Sequence, residues 1–91
     1  MNPAMNREDW HPALDRLTVE YESILTREYG LPPICSQKEA LRALGISLTA
    51  MYRLRLRGDI KFIQSTIGGR ITYRRRELAA YLARLELSNA M

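Results

Sequence analysis

The sequence predicts a mainly α fold with a small β-hairpin. Two short helices are joined by a glycine turn, a hairpin follows them, another helix closes the unit, and an extra helix precedes it. Three observations predict this. Apolar residues recur at three- and four-residue steps in separate stretches, each bounded by a cap or a breaker. Between Ile60 and Tyr73 the pattern changes to β-prone runs. A Gly68-Gly69 pair interrupts those runs, where positive φ values let a chain reverse.

The first helix is expected from Pro12 to Tyr29. Proline is tolerated in a first turn, where its missing N–H would be unbonded anyway. Leu14, Leu17, Tyr21 and Ile24, with Leu25 and Tyr29 close by, form one apolar stripe, and Gly30 with Pro32-Pro33 stops the helix. Residues 1–10 read as a frayed terminus, with Trp10 as a hydrophobic staple. Ser36-Gln37-Lys38-Glu39 is a capping box opening a helix of about two turns, whose buried face is Ala40, Leu41 and Leu44. Gly45 suits the left-handed position beyond its end. A helix that short must be packed against neighbours to persist. Ser47 then caps a second helix, Leu48 to Arg57, ended by Gly58, with Met51 and Leu54 turned inward beside Ile46. Two short helices around a glycine turn match the helix-turn-helix pattern. Ile60–Gln64 and Arg70–Tyr73 are the expected hairpin strands, and Ser65–Gly69 their connection. Arg75 to Leu87 is rich in helix formers, with Leu78, Tyr81, Leu82 and Leu85 as its apolar face.

Ninety-one residues suffice for one modest core. The single cysteine, Cys35, has no partner for an internal disulfide and no second thiol at metal-ligand spacing, which fits a reducing compartment. No apolar run approaches the ~20 residues of a membrane span, and the opening residues lack a signal-peptide core, so the cytoplasm is the default expectation. The net charge of +4 is unevenly spread. Residues 1–30 carry three arginines against six acids, while residues 31–91 carry eleven Lys or Arg against four acids. One end of the molecule is therefore built to meet a polyanion, of which nucleic acid is the commonest. No catalytic set accompanies this charge. His11 has no nucleophile or ligand partner in view, and Glu20 and Glu22, two residues apart, do not share a helix face. No enzyme activity, cofactor or metal is expected.

Residues 34–85 resemble the helix-turn-helix domain of the excisionase family, which has the MerR-like winged-helix fold. The resemblance is carried by Ala43-Leu44-Gly45-Ile46-Ser47, Tyr52-Arg53, Gly58, Gly68-Gly69-Arg70, and the basic step from Arg74 into a helix reaching Leu82. Each piece is common, and their joint order and spacing over about fifty residues is what is specific. The chain departs from the pattern by adding about thirty residues ahead of the capped helix. Asp59-Ile60-Lys61 also stands where the family often has proline. The expected organisation is an acidic helical extension over 1–30, a winged helix-turn-helix over 34–87, and a disordered tail over 88–91.

The resemblance implies double-stranded DNA as partner, with Leu48–Arg57 as the recognition helix. The major groove admits one helix, and its base edges carry a readable donor and acceptor code. Ser47 and Thr49 offer hydroxyls there, and Ala50 can meet a thymine methyl. Arg53 suits a bidentate contact with guanine, and Tyr52 and Arg57 suit phosphate. Arg70, beside two glycines, is placed to enter a minor groove, whose narrow A/T-rich forms attract arginine. Arg74, Arg75 and Arg76 open a helix where the macrodipole favours acids, so they call for an external anion, and phosphate is the obvious one. Arg55 and Lys61 add backbone charge. Three readings follow. The first is an excisionase, or recombination directionality factor, that lines up head-to-tail on tandem sites, bends DNA and directs an integrase. The second is a small transcriptional regulator, and the third is a protein-binding adaptor. Eight basic residues against one acid from Arg53 to Arg76 disfavour the adaptor.

Overall fold

The computed structural model describes residues 7–90, and side chains from Pro12 onward. Its elements are α1 (Arg7–Tyr29), β1 (Ile34–Ser36), α2 (Gln37–Leu44), α3 (Leu48–Arg57), β2 (Thr72–Arg74) and α4 (Arg75–Asn89). The expectations placed on residues 1–6, on the side chains of Trp10 and His11, and on Met91 lie outside the described residues.

Local chemistry sets the helix ends of the central pair. The Ser36 hydroxyl accepts from the Glu39 N–H at 3.1 Å, and the Glu39 carboxylate accepts from the Ser36 N–H at 2.8 Å. The capping box thus satisfies two donors that a helix start leaves unpaired. Gly45 adopts φ 67°, and the Ile46 N–H reaches back to the Leu41 carbonyl at 3.2 Å, closing a Schellman turn. Ser47 caps α3 through the Ala50 N–H at 3.1 Å. The Asp59 N–H closes the far end of α3 on the Leu54 carbonyl at 2.9 Å.

Long-range packing then assembles these pieces. Leu25, Leu31, Cys35, Ala40, Met51, Leu54, Ile60, Tyr73, Leu78 and Ala79 make one buried cluster, with Ile46, Tyr81 and Leu82 against its edge. α1 begins at Arg7, ahead of Pro12, and lies along α4. The extension is therefore a layer of the same core: Leu25 is its buried contribution, Tyr21 packs against the cluster, and Leu31 follows just beyond it. On α4 the buried positions are Leu78, Ala79 and Ala83, while Leu85 is half exposed. The buried face of α4 is thus centred on Leu78 and two alanines, with Tyr81 and Leu82 at its edge, and not on the Leu78, Tyr81, Leu82 and Leu85 stripe its sequence predicts. α4 also continues through Ser88 and Asn89, past the expected end at Leu87.

The strands differ from expectation in their pairing. β2 pairs antiparallel with β1, a strand with no signal in the sequence, and Cys35 stands opposite Tyr73. The expected hairpin is present, but its ladder is reduced to one reciprocal pair. The Ile63 N–H donates to the Thr72 carbonyl at 2.8 Å, and the Thr72 N–H to the Ile63 carbonyl at 3.0 Å. Thr72 is thus the junction between the sheet and the wing.

Two buried acids tie stability to pH. Burial pushes the Cys35 thiol above its ordinary range, aided by Glu39 and opposed by Arg75. Burial likewise raises Tyr73, against the lowering effect of Arg55. Both shifts favour the neutral forms in the folded state, so this stabilisation is present at neutral pH. It is lost as pH climbs past the ordinary values of thiol and phenol. The urea midpoint is expected to hold to about pH 8 and fall from about pH 9. Cys35→Ala should flatten the first part of the fall and Tyr73→Phe the later part.

Candidate nucleic-acid interface

The orientation of α3 decides what the molecule can present to a groove. Met51 and Leu54 are buried. Counting about 100° per residue, the direction opposite them falls between Thr49 and Leu56, with Tyr52 and Arg53 on either side. All four are exposed. Thr49, Tyr52 and Arg53 are on this face as expected. Leu56, 68% exposed, is a fourth member that the resemblance does not point to, although the same helical count finds it. Ser47 is exposed and already accepts one bond as a cap. Ala50 is half-buried, on the flank rather than the outer face. Arg57 lies on the same flank as Ala50, one turn beyond Arg53, and pairs with Asp59 at 2.8 Å.

A polar knot fixes α3 against the rest. Arg55 Nη1 donates to Gln37 Oε1 at 2.7 Å and to the Tyr73 hydroxyl at 2.6 Å, and that hydroxyl donates to Gln37 Oε1 at 2.9 Å. The same guanidinium lies 5.7 Å from the ring centroids of both Tyr52 and Phe62. Such contacts suit the planar, delocalised charge of arginine. One side chain therefore joins the start of α2, the outer face of α3 and strand β2. This corrects the expectation that Arg55 adds charge against the DNA backbone, because its hydrogen bonds are directed inside the protein.

The wing is short and braced. The Gly69 N–H bonds the Thr66 carbonyl at 2.9 Å, and Gly68 at the third position has φ 78°. No other residue type among those described has positive φ, so the reversal is a type II turn with Ile67 at its second position. Gly69 suits a crowded place: a Cβ there would sit 2.6 Å from Thr66 Oγ1 and 3.0 Å from the Thr66 carbonyl oxygen, so a larger residue would force Thr66 to shift. Gln64 Nε2 donates to the Gly69 carbonyl at 2.9 Å across the loop. Arg70 is exposed just beyond it, and Lys61 and Arg74 line one shallow depression at the wing base with Phe62, Ile63 and Glu77. Lys61, Arg70, Arg74 and Arg53 make no hydrogen bond or ion pair among the described residues.

The start of α4 answers its anion demand internally. Arg75 Nε pairs with Glu22 at 3.3 Å, and its Nη1 donates to the Leu31 carbonyl at 2.9 Å. Arg76 reaches the same carboxylate at 3.5 Å. The Arg75 side chain is only 20% exposed. Glu22 thus supplies the negative charge expected of phosphate, and Arg75 is committed to holding α1. Of the three arginines, Arg74 is the one turned to the wing face.

The helix-turn-helix pair presents Thr49, Tyr52, Arg53 and Leu56 outward, and the Arg55 guanidinium links Tyr52 on that helix to Phe62 at the base of the cationic wing. The family model for the helix-turn-helix domain matches residues 34–86, more than half of the chain. The chain belongs to this family. The helix-turn-helix domain is a DNA-binding domain found in excisionase-like proteins, and its matched span runs from β1 through most of α4. No curated protein and no solved structure gives a significant match. No helix among the described residues is long and apolar enough to cross a membrane. No group of three His, Cys, Asp or Glu side chains among them is positioned for a metal ion.

Proposed function

We propose that this protein is an architectural DNA-binding factor of the excisionase type. It binds tandem sites beside the attachment site of a phage or integrative element, bends the DNA, and biases an integrase toward excision. The observation that carries the reading is the set of four cations, Arg53, Lys61, Arg70 and Arg74, exposed around α3 and the wing and free of partners among the described residues. Arg53 reads a guanine from the major groove, Thr49 and Tyr52 add hydroxyl contacts, Arg70 enters the flanking minor groove, and Lys61 and Arg74 meet phosphates. α1 is part of the fold, and its exposed acids Asp15, Glu20 and Glu28 supply a head-to-tail contact with the basic surface of the next copy. Contacts of that kind are heterologous and propagate along a duplex.

The test combines binding with recombination. Arg53→Ala is expected to relax sequence preference at one position by about 1–3 kcal/mol while leaving thermal unfolding unchanged. On DNA spanning an attachment site, wild type should fill several tandem sites cooperatively and shift integrase products toward excision. Reversing Asp15, Glu20 and Glu28 to lysine should abolish the cooperativity alone. A single protected promoter site with no change in recombination would instead make the protein a transcriptional regulator.

A further inference from the structure

The wing carries a side chain that the fold does not use. Ile67 is fully exposed, at 104%, which makes it the most exposed large apolar residue described. Its neighbours Ser65, Thr66, Gly68 and Gly69 are small. An isoleucine in that place gains nothing from burial, yet its position is tightly determined. The type II turn, the left-handed Gly68 and the Gln64 brace fix the backbone on both sides. The β-branch also leaves the side chain few rotamers. Ordering this tip against a partner therefore costs little conformational entropy.

The surrounding charge says what the partner is. No acid lies between Asp59 and Glu77, and Lys61, Arg70 and Arg74 occupy that interval without partners among the described residues. An apolar tip set among unpaired cations fits a polyanion with an apolar interior better than an apolar protein surface. A base stack is such an interior. Two glycines beside the tip keep it slender, which suits a minor groove about 6 Å wide.

We propose that Ile67 is a wedge that enters the minor groove and partly unstacks one base step, kinking the duplex toward the major groove. The inference rests on the DNA-binding reading above and adds how the bend is made. Isoleucine is among the side chains that work this way, and pyrimidine–purine steps such as TA yield most easily. Arg70, three residues on, holds the groove wall while the wedge is seated.

The experiment uses the full chain and short A/T-rich duplexes with one central TA step, in which 2-aminopurine replaces successive adenines and the ends carry a fluorescence-transfer pair. Wild type should raise 2-aminopurine emission several-fold at one position and bend the duplex by about 20–90°. Ile67→Ser should lose both signals while its Kd rises by less than about tenfold, because the cations remain. Ile67→Leu should retain both. The wedge is overturned if Ile67→Ser bends the duplex as wild type does. It is equally overturned if that variant loses only cooperative filling of a multi-site duplex, which would assign the tip to a second copy. Failure of wild type to retard any of the duplexes at low ionic strength would remove the DNA-binding reading itself, and the wedge with it.

Discussion

Arg55→Ala is expected to destabilise the protein by about 2–3 kcal/mol, a large share of the margin available to so small a domain. The substitution removes two charge-assisted hydrogen bonds, to Gln37 and to the buried Tyr73 hydroxyl, and the cation beside two aromatic rings. Arg55→Lys keeps the charge and loses the planar fork, so it should recover only part of the loss. Urea denaturation gives the magnitude. Hydrogen exchange should show α3 and the wing strand loosening together, because Arg55 is what they share. An exposed cation used only for phosphate would give a change within about 0.5 kcal/mol, and that result would refute the structural role.

The complementary prediction concerns Lys61, Arg70 and Arg74. Replacing all three with alanine should leave unfolding almost unchanged, since none has an internal partner among the described residues. The slope of log K against log[salt] should flatten by about 2.7, because each phosphate left without its cation removes roughly 0.9. Affinity at moderate salt should fall on the order of a hundredfold. Arg16→Ala and Arg27→Ala, on the outer side of α1, serve as controls that leave the slope alone. An unaltered slope in the triple variant would place the DNA on another face.

What is legible in the sequence is local. The Ser36–Glu39 box, the Ser47 cap and the helix ends at Gly45 and Gly58 are decided within four or five residues, and each is present. The outward face of α3 is nearly as readable, because periodicity determines it. Pairings between distant residues are hidden. Glu22 and Arg75 are 53 residues apart, and nothing near either announces the other, so a structural arginine looks like a phosphate ligand. β1 escapes for the same reason: three residues after two prolines carry no strand signal until Thr72–Arg74 lies beside them. Arg55 is easily misread because arginine's value in a knot depends on acceptors elsewhere in the chain. The buried face of α4 includes Ala79 and Ala83, which an apolar stripe counted from large residues passes over.

The three-residue ladder of β1 and β2 has a consequence for the target. Ser36, where α2 begins, is in register with Thr72, and Thr72 also anchors the wing through Ile63. With Arg55 tying α3 to Gln37 and Tyr73, the two probes proposed to meet DNA are mounted on one frame, like the jaws of a calliper. An inserted base pair between their footprints moves them apart by about 3.4 Å along the axis and rotates one relative to the other. If both probes engage as proposed, the β1–β2 ladder and the Arg55 knot resist that change, and the duplex must absorb it. In the proposed complex, spacing between the two contacted segments is then discriminated by the stiffness of the intervening, untouched base pairs.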